Sequence, residues 1–155
     1  MVCVKSAAVS VFVVACMVGC GGSTAPQEEL VPLKGNVRVA GQPTAGIRVL
    51  FTPTGATTGT GAVGMTDAEG NYTAMHRTQK PGIVKGEYNV LFSRFLLPDG
   101  SPVPPGQSPT ISGGRESVPA MWSDPAKVGT HNTITVTGDG KAADFALPKP
   151  VTHKR

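Results

Sequence analysis

Three histidines, His76, His131 and His153, are the side chains best suited to acid–base catalysis or metal binding. Each is isolated, so the chain has no H-x-x-x-H or H-E-x-x-H pair that would hold a metal ion. The G-x-S-x-G spacing that presents a nucleophilic serine in many hydrolases is also missing. The sequence therefore predicts no metal site, no catalytic residue and no enzyme. A small hydrolase, with a triad assembled in space around His76 or His131, is the alternative.

Two further segments carry residue types that bind nucleotides or cations. Residues 59–64 match G-x-G-x-x-G, but a dinucleotide site needs a helix directly afterwards, and residues 65–70 predict a tight turn instead. Asp67, Glu69 and Asn71 offer oxygen ligands of the kind that calcium prefers. The rest of a calcium loop is missing, and Asp, Asn and Gly are ordinary turn residues. The sequence predicts a turn here and no cofactor.

Trp122 is the only tryptophan of the chain and lies beside Met121. An exposed indole ring can stack on a sugar ring, so Trp122 is a candidate ligand platform. On this hypothesis the protein is a carbohydrate-binding module with a glycan partner. Large apolar rings are usually buried, and the favoured interpretation is a lid packed over the edge of the fold.

The charged residues argue against a nucleic-acid partner. The chain has 14 Lys and Arg against 10 Asp and Glu, which gives a net charge of +4. Nucleic-acid binding proteins gather basic residues on one face, usually with aromatic side chains between them. Here the basic residues are scattered, and the densest run is the terminal His153, Lys154 and Arg155.

The first twenty residues indicate an export signal. Residues 7–18 form an apolar run broken only by Ser10, which suits a signal peptide and is short for a membrane-spanning helix. The run ends in Gly19, Cys20 and a Gly-Gly-Ser stretch. This ending resembles the lipobox of bacterial lipoproteins, in which the cysteine is acylated and becomes the first residue of the mature protein.

The lipobox resemblance implies a signal peptide at 1–19 and a lipidation site at Cys20, with Cys16 as the alternative site. Residues 20–32 then form a flexible tether that is rich in small and polar residues. Several acyl chains hold a protein stably on a bilayer, so the expected partner is a membrane. The expected location is the cell envelope, facing the periplasm or the cell surface. All three cysteines lie at or before Cys20, so no disulfide framework is available to the rest of the chain.

Beyond the tether, apolar and polar residues alternate in most of seven short segments separated by turn signals. These segments are 33–40, 47–52, 62–66, 71–74, 87–93, 133–137 and 144–147. Leu91 breaks the polar face of the fifth segment. The alternation predicts an all-β fold, a seven-stranded antiparallel sandwich over residues 33–147. It contains a proline-rich loop at 95–119 and one helical turn near 120–126, and a basic tail follows at 148–155.

Four stretches in the order 33–53, 64–73, 86–92 and 133–147 resemble the carboxypeptidase regulatory-like domain. They contain its G-x-V strand, G-x-P turn and T-D-x-x-G-x-Y hairpin. The segment 118–125 also resembles one found in small bacterial lipoproteins that carry this domain. The resemblance implies a transthyretin-like, immunoglobulin-like sandwich. Gly86 has no proline directly before it and the proline-rich insert is long, so no ligand is carried over from the family.

Together these observations predict a non-enzymatic, lipid-anchored envelope protein. Its β-sandwich would act as a structural or interaction module beside the membrane. An envelope protein or a glycan is the expected further partner, and exposed edge strands are candidate docking sites for it.

Overall fold

The computed structural model of the protein describes residues 28–104 and 106–150. These residues form mostly short strands, with two helices of one turn each. The strands are β1 (Leu30–Val31), β2 (Lys34–Val39), β3 (Gln42–Pro43), β4 (Arg48–Pro53), β5 (Ala62–Met65), β6 (Asn71–Thr73), β7 (Met75–His76), β8 (Ile83–Val84), β9 (Gly86–Ser93), β10 (Phe95–Leu96), β11 (Arg115–Glu116), β12 (Thr133–Val136) and β13 (Phe145–Leu147). The helices are α1 (Ala120–Ser123) and α2 (Pro125–Val128). Neither of the two helices in the described residues is a candidate for spanning a bilayer.

Two sheets make up most of the fold. The larger sheet has the order β12-β9-β4-β5-β7, and all of its neighbouring strands are antiparallel. In the smaller sheet β2 is central and pairs antiparallel with β6 and β3 and parallel with β13. The strands β1 and β8 form a separate antiparallel pair, as do β10 and β11. The predicted all-β fold is confirmed.

The parallel pairing of β13 with β2 differs from the prediction of a wholly antiparallel sheet. β12 belongs to the larger sheet and β13 to the smaller one, so the segment between them crosses from one sheet to the other. After this crossing, β13 runs in the same direction as β2, with Phe145 opposite Val37 and Leu147 opposite Val39. A pattern of alternating side chains specifies which face of a strand is buried but not the direction of its neighbour.

Apolar side chains from both sheets fill one shared core. In β4 the side chains of Val49 and Phe51 are buried while Arg48 and Thr52 are exposed, as the alternation of a strand requires. The other strands contribute in the same way, and the largest fully buried side chains are Tyr88, Phe51, Phe92, Ile47, Ile83, Val37, Val49, Val90 and Val128. Burying one such side chain stabilises a protein by about 1.5–3 kcal/mol.

The turn at residues 67–71 forms as predicted, but it does not close a hairpin. One Asp67 carboxylate oxygen accepts from the backbone N–H groups of Glu69 and Asn71, at 3.1 and 2.8 Å. β5 then pairs with β4 and β7, whereas β6 pairs with β2, so the turn carries the chain between the two sheets. Gly64 of β5 leaves room for the ring of Tyr72 in β6, because a Cβ atom there would lie 2.7 Å from that ring.

The proline-rich segment is closed at its base by one carboxylate. Glu116 accepts from the Ser93 hydroxyl at 2.6 Å and from the backbone N–H groups of Arg94 and Val118, both at 2.9 Å.

The predicted helical turn is present and is followed by a second one. Asp124 caps this second helix by accepting from the N–H of Ala126 at 2.9 Å.

Tyr72 fixes the chain segment before β13 to the core. Its hydroxyl donates to the carbonyl oxygen of Ala143 at 2.7 Å, and its ring lies 6.0 Å from that of Phe51. Burial, together with the nearby Asp144 carboxylate, raises the pKa of Tyr72 above its ordinary value of 10.0. The folded protein therefore keeps this phenolic proton at pH values where the unfolded chain has lost it.

We expect the free energy of unfolding to decrease as the pH rises above about 10, because there the unfolded chain binds fewer protons than the folded one. Tyr72→Phe removes one such group and reduces the slope by up to about 1.4 kcal/mol per pH unit. Urea unfolding at a series of alkaline pH values measures this slope. Thr135→Ala, at an exposed position of β12, is the control and leaves the slope unchanged. An unchanged slope in Tyr72→Phe would contradict the assignment.

Candidate functional site

A groove of about 470 Å³ lies on the outer face of the larger sheet, across β4, β5 and β7. We call it the sheet-face groove. Leu50, Val63 and Met75 form its apolar part. Arg48, Thr60, His76, Arg77 and Gln79 contribute the polar groups around it.

The apolar part of the groove belongs to a row that crosses four strands. The register places Leu91 of β9 opposite Leu50 of β4, Leu50 opposite Val63 of β5, and Val63 opposite Met75 of β7. Side chains opposite one another in paired strands lie on the same face and contact each other. Leu91 is only 7% exposed and Met75 is 39% exposed, so the row opens toward the β7 edge of the sheet. The outer face therefore carries an apolar strip where alternation alone would place polar residues.

Two arginines line the groove, and the Glu28 carboxylate lies at its rim, 3.2 Å from the Nε2 atom of His76. Arg48 and Arg77 are both exposed, and neither has a carboxylate within 4.0 Å in residues 28–104 and 106–150. Among the described residues that line the groove there is no Asp or Glu. Two guanidinium groups beside an apolar surface have the chemistry to bind a molecule that is both anionic and partly apolar.

His76 lies at the rim of the groove and is almost fully buried. Its Nε2 atom lies 3.1 Å from the hydroxyl of Thr60 and 3.2 Å from a carboxylate oxygen of Glu28. Its Nδ1 atom lies 3.0 Å from the hydroxyl of Thr78. The ring therefore connects three segments of the chain.

This geometry differs from that of a catalytic triad. In a triad the nucleophile and the carboxylate lie on opposite nitrogens of the imidazole ring, so that the carboxylate orients the base. Here the Thr60 hydroxyl and the Glu28 carboxylate both face Nε2. His131 is exposed and lies in a different part of the fold, after α2. Among the described residues, no group of three or more His, Cys, Asp or Glu side chains could hold a metal ion.

Trp122, the candidate ligand platform, lies in α1 and packs partly against the core. Its ring centroid is 6.1 Å from that of Phe92, which in turn lies 4.9 Å from Phe145 in an edge-to-face contact. Met121 beside it is exposed. Sugar stacking on Trp122 stays a prediction. The two candidate lipidation sites, Cys20 and Cys16, lie outside the described residues.

Sequence reasoning missed the sheet-face groove, although one signal pointed to it. Leu91 breaks the polar face of its segment, and Leu50 and Val63 do so in theirs. Only the register of the strands shows that these exceptions are adjacent.

Comparisons of the chain with protein-family models, with curated proteins and with solved structures give no match.

We expect Trp122→Ala to lower the free energy of unfolding by about 2–4 kcal/mol, because it leaves a cavity beside Phe92. Urea unfolding measures the change. Met121→Ala, at the exposed neighbouring position, is the control and changes the stability by no more than about 0.5 kcal/mol. Equal stabilities of Trp122→Ala and the wild type would contradict a packing role for this ring.

Proposed function

We propose that the protein is a non-enzymatic lipoprotein of the cell envelope, anchored through acyl chains on Cys20. Its all-β domain, which we propose to be a seven-stranded transthyretin-like sandwich, acts as a structural or interaction module close to the membrane. Several acyl chains provide stable attachment to a bilayer, and the domain provides a rigid surface beside it.

The observation that carries this proposal is the way in which the first described residues are fastened to the domain. β1 lies within the last residues of the proposed tether, where it pairs with β8, and Val31 of β1 is buried in the core. Glu28 contacts the buried His76, and Glu29 lies 3.3 Å from the ammonium group of Lys85. A force transmitted from an anchor would therefore act on a hydrogen-bonded strand pair and a buried side chain.

The environment of His76 supports a non-enzymatic role. In a catalytic triad the carboxylate orients the histidine from the ring nitrogen opposite the nucleophile, whereas Glu28 faces the same nitrogen as the Thr60 hydroxyl. In this protein both ring nitrogens face side chains of the fold, those of Thr60, Thr78 and Glu28. Through its contact with Glu28, His76 connects the start of the domain to β7, and this is a structural role.

We expect metabolic labelling with a palmitate analogue, in a bacterium that expresses the full chain, to label the wild-type protein. Cys20→Ser loses the label because the acylated thiol is gone. Cys16→Ser is the matched control and keeps it. Mass shifts and gel fluorescence measure the modification. A wild-type chain without label would refute the anchor, whereas a label lost only in Cys16→Ser would move the site to Cys16.

A carbohydrate-binding module is the second candidate, because Trp122 keeps part of its surface exposed next to Met121. This candidate predicts that the protein binds an envelope glycan on an array and that Trp122→Phe, which preserves most of the packing, weakens this binding. Met121→Ala serves as the control for the local surface. If the wild-type protein binds none of the glycans, this candidate is removed.

A further inference from the structure

The sheet-face groove has a composition suited to the surface of an anionic membrane. Leu50, Val63 and Met75 offer apolar surface, and Arg48 and Arg77 stand beside it without a carboxylate partner in the described part of the chain. We propose that the anchored domain docks through this groove onto anionic phospholipids. This proposal rests on the proposed function, because the anchor is what brings the bilayer within reach.

The position of the groove relative to the tether supports this docking. His76 lines the groove, and its Nε2 atom lies 3.2 Å from a carboxylate oxygen of Glu28. Glu28 is eight residues after the proposed acylated Cys20. An extended chain spans at most about 3.6 Å per residue, so the rim of the groove lies within roughly 30 Å of the anchored residue. The groove is thus on a part of the domain that the tether holds close to the lipid head groups.

The chemistry of the groove fits phospholipid head groups. A guanidinium group binds a phosphate through two parallel N–H···O bonds, which a lysine cannot provide. Basic residues near a membrane surface are attracted to anionic lipids, and apolar side chains enter the boundary between head groups and acyl chains. Met75, which is 39% exposed, is placed for such contacts at the sheet-face groove.

Charge also distinguishes the sheet-face groove from a second groove that adjoins it. This second groove, of about 730 Å³, shares Met75 with the sheet-face groove, and Asp67 and Asp144 line it together with a single basic residue, Lys34. An anionic surface repels these carboxylates and attracts Arg48 and Arg77. The distribution of charge therefore favours contact with the membrane at the arginines rather than at the adjoining carboxylates.

The test uses the full chain, extracted with its anchor and reconstituted into vesicles. In the mature protein Cys20 is acylated, so a cysteine introduced by Gln79→Cys is the only free thiol and carries a polarity-sensitive dye at the groove. Gln42→Cys, at an exposed position of β3, is the matched control. We expect a blue shift of the dye at position 79 in vesicles containing phosphatidylglycerol. We expect no shift in pure phosphatidylcholine and none at position 42.

Two arginine variants test the contribution of charge. Arg48→Gln combined with Arg77→Gln should reduce the ratio of docked to undocked protein about thirtyfold, on the basis of the typical attraction of a basic residue to anionic lipid. Arg38→Gln combined with Arg115→Gln removes two exposed arginines elsewhere and leaves the shift in place. Raising the salt from 0.1 to 1 M shortens the screening length from about 10 to about 3 Å and should also abolish the shift.

Other outcomes would overturn the docking proposal. One is an equal shift of the dye at position 79 in both kinds of vesicle, and another is a shift that persists in the Arg48→Gln, Arg77→Gln double variant. A shift produced by polyglutamate without vesicles would indicate an acidic protein partner instead. A chain that floats with the vesicles but shows no shift at position 79 refutes the docking and leaves the anchor intact. A chain that does not float with the vesicles refutes the anchor, and the docking fails with it.

Discussion

The shared apolar core between the two sheets is the constraint on which the other features of this protein depend. No cysteine follows Cys20, so no disulfide is available to hold the domain together, and burial of apolar side chains must do so. The sheets must approach each other closely. Gly64 leaves room for the ring of Tyr72, and the Tyr72 hydroxyl then binds the carbonyl of Ala143 at 2.7 Å. These contacts place β6 and the segment before β13 on the same core.

The core also determines what the outer surface can offer. Because side chains alternate along a strand, burying Val49 and Phe51 turns Arg48, Leu50 and Thr52 outward. Polar residues at such positions need no further explanation, whereas a row of apolar ones does. Contiguous apolar surface on a soluble domain commonly marks an interaction site. The row from Leu91 to Met75 thus points to function more specifically than any single residue of the chain.

The sequence predicted those features that depend on local patterns. Its seven alternating segments correspond to the seven strands with three or more residues, and the turn at 67–71 depends on neighbouring residues alone. The parallel pairing of β13 and the pairing of β5 with β7 were not predictable in this way, because alternation does not specify a strand's partner. For the same reason the groove was missed. Its residues come from positions 48–79, and the contact of His76 with Glu28 joins residues far apart in the sequence.

The contact between Glu28 and His76 bears on the affinity that a membrane-docking surface of this domain would need. A free protein that docks through two arginines and three apolar side chains would bind a membrane only weakly. An anchor changes this, because attachment to the same surface makes docking an intramolecular step with a high effective concentration. The effective concentration is greatest when the tether is short and joins the domain close to the docking face. Glu28 joins the domain at the rim of the groove, so on the proposed anchoring a modest surface would be sufficient to orient the whole domain.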